Sequence, residues 1–284
     1  MRSFPVEAPE PVPAILPALG RLGPWLARLA AAQGSWPPAL PSHVVPAPTT
    51  SGVDAGAEAA DRLVDAGADL LVVAGGGPTG PALALLAVLL DLEPVAAVGT
   101  GSVPGWAGLV AEVRTGLRAA RPHLGDPDRL LAVTGADEVA GLAGLLLQAA
   151  VRRTPVLLSG AADAWAAALL AERTTPGTAD WLLPGCSPAG GGAAAAVSEL
   201  RLEPLLDLRL AGPEGADLAL AVLGPAVRLA QAGVGGGRAA EGRQEDGPGH
   251  DAGRDARGLD DGPAHDGSPD DGGPDDGSPD PLRA

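Results

Sequence analysis

Gly75-Gly-Gly77-Pro-Thr-Gly80 has the G-x-G-x-x-G spacing and lies between an apolar run, Asp69-Leu-Leu-Val-Val-Ala74, and a segment of helical composition. In such a turn the backbone N–H groups of Gly75, Gly76 and Gly77, with the positive end of the following helix, can cradle a phosphate. A dinucleotide site also asks for an acid at the end of the next strand to hold a ribose hydroxyl. The strand expected to end near Gly99 is followed by Thr100 instead, which counts against a nicotinamide-dinucleotide oxidoreductase. The same glycines also suit close helix–strand packing with no ligand, and both readings stay open here. Cys186 is the only cysteine, which excludes an internal disulfide, and no basic residue or histidine lies near it in sequence to make it a nucleophile. His43, His123, His250 and His265 are scattered without metal-ligand spacing, and the absence of lysine excludes Schiff-base and P-loop lysine chemistry.

The elements that must hold this turn follow from periodicity. Leu19, Leu22, Leu26, Leu29 and Ala30 recur at helical spacing and predict a helix over about 20–33, with Gly34 as its stop. Residues 1–17 and 35–52 are Pro-rich and read as irregular segments, the second a connector. Beyond it helices are expected at 53–66, 79–90, 105–121, 126–132, 137–152, 161–173, 190–199 and 215–231. Strands are expected at 69–74, 94–98, 155–158, 181–183 and 204–206. This alternation predicts an α/β fold, a three-layer Rossmann-like domain with a mainly parallel sheet and its ligand at the carboxyl ends of the strands.

Composition divides the chain. From Gly235 to Ala284 there are 13 Asp/Glu against 5 Arg and almost no large apolar side chain besides Leu259 and Leu282, so an acidic, disordered tail is expected. The first 234 residues carry 22 acids and 14 Arg, with no basic face for nucleic acid. The longest apolar stretch, Pro81 to Leu90, is half of what a membrane span needs, and the N-terminus lacks the pattern of a signal peptide. A cytoplasmic protein without nucleic-acid or membrane partners is the expectation.

Several segments, in order, resemble the motifs of one known family. Leu19-Gly-Arg-Leu22 followed by Leu29-Ala-Ala-Ala-Gln-Gly34 is similar to that family's first helix. Gly77-Pro-Thr-Gly-Pro-Ala82 stands where the family has G-N-T-T-P-A, and Val98-Gly-Thr-Gly101 resembles its next glycine turn. Gly141-Leu-Ala-Gly144 with Pro155-Val-Leu-Leu158 resembles its helix followed by P-V-L-L-D-G. Leu202-Glu-Pro-Leu-Leu-Asp-Leu208 is close to L-E-P-L-L-D-L, with Glu214-Gly215 at the place of its E-G pair. The family that these segments resemble is that of the nicotinate-nucleotide:dimethylbenzimidazole phosphoribosyltransferases.

The resemblance implies a reaction. A ring nitrogen of 5,6-dimethylbenzimidazole, or a similar base, attacks the anomeric carbon of nicotinate mononucleotide, nicotinate leaves, and inversion yields an α-ribazole phosphate for the cobalamin lower ligand. A glutamate takes the imidazole proton, and the E-G pair carries that role onto Glu214. The implied substrate-binding residues are Gly75, Gly76, Gly77, Thr79, Gly99, Gly101, Ser187 and Gly215, with no cofactor or metal; the family also dimerises, which leaves a homodimer open. The departures are specific. About a third of the family's length is missing before the Gly-rich turn; Val73 replaces a second glutamate, Ser159 an aspartate and Glu112 a basic residue. Of the S-H-x-S-A-E loop, Pro184-Gly-Cys-Ser-Pro-Ala189 keeps only Ser187, and Thr79 is the one hydroxyl left of the T-T pair. A non-catalytic relative serving as a nucleotide-binding or partner subunit is therefore the alternative.

Each residue also has a plainer role. Glu214 at a helix start can simply cap the helix or meet its dipole, and that placement lowers a carboxylate's pKa and weakens it as a base. Ser187 and Thr79 suit turns, Asp207 a pair with Arg209, Trp106 and Trp181 the core or its rim, and Arg152-Arg153 a helix C-terminus.

Overall fold

The structure, a computed structural model, describes residues 20–75, 78–100, 105–160, 162–188, 190–210 and 213–241, with side chains described as far as residue 232. The expectations for residues 1–17, for Gly76, Gly77 and Gly101, and for the tail beyond Glu241 lie outside these residues.

Four short strands form one parallel sheet in the order β1 (Val44–Pro46), β2 (Leu70–Ala74), β3 (Val156–Ser159) and β4 (Leu182–Pro184). Strand order follows chain order without reversal, so the switch point of a doubly wound dinucleotide fold is absent from this sheet. With right-handed crossovers, sequential order sends every connecting helix to one face. The core reflects that. Leu71, Val73, Val156, Leu158 and Leu182 face a large cluster built from α2 (Val53–Asp65), α3 (Gly80–Leu89), α5 (Trp106–Ala120), α7 (Asp137–Val151), α8 (Ala162–Thr174) and their neighbours. The alternate residues Leu70, Val72, Leu157 and Leu183 face a smaller cluster supplied by α1 (Leu22–Gln33) and α10 (Glu214–Glu241). Burial of both faces explains why these strands read as unbroken apolar runs.

Local chemistry sets most boundaries. Gly34 ends α1 in a left-handed conformation, its N–H donating to the Ala31 carbonyl while the Ser35 N–H donates to that of Ala30. Thr79 caps α3 by accepting from the Ala82 N–H at 3.4 Å, with Pro81 in the first turn. Every residue of α3 except Pro81 is buried, so the helix opened by the Gly-rich turn is the centre of the larger core.

Three expectations are corrected. The segment Pro94–Val98 is a short helix, α4, not a strand. Both edges of β2 are already taken by β1 and β3, and Pro94 occupies the first helical turn, where its missing N–H is harmless. Within the connector 35–52, Val44–Pro46 pairs with β2 as an edge strand, where proline is tolerated. The last strand, β6, covers Leu206–Arg209 and pairs in parallel with β5 (Cys186–Ser187) as a separate two-stranded sheet. The backbone of α10 also runs on through residues 235–241, beyond the expected start of the tail. Helices α6 (Pro127–Thr134) and α9 (Gly191–Glu199) complete the order.

Candidate functional site

The carboxyl ends of β2 and β3 are pinned together. The Gly75 N–H donates to the Ser159 carbonyl at 3.0 Å, and Gly160, at φ +120°, lies so close to the Gly75 backbone that no side chain fits there. The next turn joins this edge through the Gly185 N–H, which donates to the Leu158 carbonyl at 2.9 Å, and leads into Cys186 and Ser187. The first turn of α10 closes the group. A Cβ on Gly215 would stand 2.5 Å from Ser159 Oγ and 3.1 Å from Cys186 Cβ, and the Cys186 thiol donates to the Gly215 carbonyl at 3.4 Å. Gly75, Ser159, Cys186 and Gly215 thus meet at one edge of the sheet, with Ser187 and Glu214 as direct chain neighbours of two of them.

The side chains themselves are less assembled. Glu214 is exposed and makes no hydrogen bond or ion pair with the described residues. Ser187 donates to Asp207 at 3.1 Å, and Asp207 pairs with Arg21 at 3.5 Å, not with Arg209. Gly99 follows α4 and stacks against Gly191 at the start of α9, while its carbonyl accepts from Trp106 Nε1 at 2.9 Å. It is therefore held by packing between α4 and α9. Gly215 has a packing reason to be glycine, independent of any substrate. Burial pushes the Cys186 thiol up, which disfavours the thiolate that a nucleophile needs. Trp181 is core, and Arg152 pairs with Asp61 and Asp65 of α2 rather than merely ending α7.

Beside the Gly-rich turn lies a cavity of about 500 Å³ that no sequence pattern announced. Its walls include Ser51, Thr79, Asp137, Glu138 and Asp163, contributed where α2, α3, α7 and α8 begin. Helices that follow parallel strands start at the carboxyl edge, so their positive ends converge here. Three carboxylates and no arginine line the described wall. The carboxylate of Glu112, on α5, packs against Gly80 at the first residue of α3. An anion held at this turn therefore depends on backbone N–H groups and sits beside negative side chains.

A family profile described as phosphoribosyltransferase matches residues 46–234, from the end of β1 into α10. The chain belongs to this family. It is 48% identical over 189 residues to the nicotinate-nucleotide–dimethylbenzimidazole phosphoribosyltransferase of Mycobacterium avium (strain 104), covering 65% of this chain and 53% of that protein. The enzyme of the same name from Mycobacterium tuberculosis (strain ATCC 25618 / H37Rv) is 46% identical over 186 residues, covering 63% and 51%. The chain thus spans about half the length of the curated relatives it matches. A crystal structure of nicotinate-nucleotide–dimethylbenzimidazole phosphoribosyltransferase from Thermus thermophilus superposes with TM-score 0.65 and 26% identity, covering 75% of this chain and 90% of that one. The family carries the parallel α/β scaffold on which the Gly75, Ser159 and Gly215 contacts are built.

Two residues gained meaning only from the structure. Ser159 and Glu112 stand out in sequence solely as departures from the family pattern, and nothing in their neighbours signals that one touches Gly215 and the other Gly80.

Proposed function

We propose that the chain transfers the phosphoribosyl group of nicotinate mononucleotide to 5,6-dimethylbenzimidazole or a similar base, as a cytoplasmic enzyme on a three-layer Rossmann-like scaffold. The observation that carries this reading is the meeting of the Gly75 turn with the Glu214-Gly215 turn, through Ser159, in a chain of this family. The Gly75 to Thr79 turn takes the phosphate on backbone N–H groups. Glu214, exposed at the same edge, takes the proton from one imidazole nitrogen as the other attacks the anomeric carbon. The carboxylates lining the cavity favour positive charge developing on the ribosyl ring as nicotinate departs. Gly99, Ser187 and Gly215 support the walls of the site, and a homodimer supplies further wall where this chain is shorter than its relatives.

The experiment is nicotinate release from nicotinate mononucleotide with and without dimethylbenzimidazole. Release should depend on the added base and fall about 10²- to 10⁴-fold in Glu214→Gln, which keeps shape but loses the proton acceptor. A second reading, a nucleotide-binding relative without turnover, is favoured by the position of Glu112 against Gly80, where a carboxylate opposes phosphate. Binding of the mononucleotide without any release at high protein concentration would select it.

A further inference from the structure

We propose that Ser159 is a positioning residue for Glu214, acting through its contact with Gly215; this rests on the reading of Glu214 as the general base. Ser159 ends β3 and is fully buried, yet its Oγ has no hydrogen-bond partner among the described residues. An unpaired buried hydroxyl is costly, so hydrogen bonding within the protein does not explain its presence. Its shape does. With Ser159 Oγ 2.5 Å from where a Gly215 Cβ would stand, the first turn of α10 rests directly on this side chain. Cys186 holds the same turn, its Sγ 3.3 Å from that point and bonded to the Gly215 carbonyl.

Ser159 has a fixed backbone. Its carbonyl is tied to the Gly75 N–H, and its strand is central in the sheet, between β2 and β4. Glu214, by contrast, has no side-chain partner among the described residues, so the backbone of residues 213–215 sets where its Cα stands and what its carboxylate can reach. One buried side chain therefore sets the height of the base above the sheet edge. A displacement of about 1 Å at a reacting group can cost on the order of 10²-fold in rate.

The test combines Ser159→Thr and Ser159→Ala with Glu214→Gln, and reads kcat, KM and the rate at which Cys186, the only cysteine, reacts with Ellman's reagent. Ser159→Thr should lower kcat about tenfold or more while KM for nicotinate mononucleotide barely changes. Ser159→Ala removes an unpaired hydroxyl, should fold, and should shift kcat the same way by less. In the Glu214→Gln background neither change should cost anything further, since the group they position is gone. Cys186 should react faster in Ser159→Thr than in the parent, and at the parent rate in Glu214→Gln. Equal losses in both backgrounds, or unchanged kcat in both Ser159 variants, would overturn the proposal. A parent without turnover, or a Glu214→Gln variant as active as the parent, would defeat the reading of Glu214 and the proposal with it. That failure is recognisable because Ser159→Thr would still speed the Cys186 reaction.

Discussion

The carboxylate of Glu112 and the backbone of Gly80 are in direct contact, and a Cβ at Gly80 would overlap the Glu112 side chain. Gly80 opens α3, so this acid sits at the positive end of the helix that follows the Gly-rich turn. A phosphate bound at that turn must share the region with a negative charge that is exposed and partly screened. Glu112→Gln should therefore tighten binding of nicotinate mononucleotide about fivefold, equivalent to about 1 kcal/mol of relieved repulsion in a water-like surrounding. Titration calorimetry at low and high salt checks this. Unchanged affinity at low salt would place the phosphate elsewhere.

Helices α2 and α7 approach so closely that backbone takes the place of side chains. A Cβ on Gly56 would overlap the Gly141 carbonyl, and one on Gly144 would overlap the Val53 carbonyl. Gly144→Ala should destabilise the fold by about 1–3 kcal/mol, because neither helix can move without disturbing the larger core. Urea unfolding should show a lower midpoint at unchanged slope. Parental stability would mean that the two helices can separate freely.

Asp69 fastens the start of β1 to β2. Its carboxylate accepts from the Ser42 N–H and hydroxyl at 2.6 and 2.7 Å and from the His43 N–H at 2.9 Å. Burial pushes its pKa up, but these hydrogen bonds together outweigh burial and hold it below the usual carboxylate value. A depressed folded pKa adds stability above the unfolded value near 4 and loses it as pH falls through the folded value. Asp69→Asn should therefore melt at a lower temperature than the parent at pH 7, and the gap should close below about pH 4. A gap that persists in acid would point to shape rather than charge.

Cys186 is buried with its thiol pKa pushed up, so it should react slowly with thiol reagents in the native protein and rapidly after unfolding. Cys186→Ala should keep turnover within about tenfold of the parent, a loss well below the 10⁴-fold or greater loss expected for a nucleophile. A larger loss would reopen a covalent mechanism.

The sequence by itself determined the elements whose cause is local. Leu70–Ala74 and Val156–Ser159 are apolar runs between turn residues, and Thr79 and Gly34 are a cap and a stop whose chemistry acts within one helical turn. It also determined the family, because short motifs keep their order along the chain. The tertiary structure decided which apolar runs became strands. Val44–Pro46 joined the sheet despite its proline, and Pro94–Val98 became a helix because β2 had no free edge left for it. It also decided that Ser159 touches Gly215 and that Glu112 touches Gly80. Such contacts join residues far apart in the chain, and their partners depend on strand order and on how closely helices cross. Neither is written in the spacing around any one residue, because local pattern reports only which face of an element is apolar.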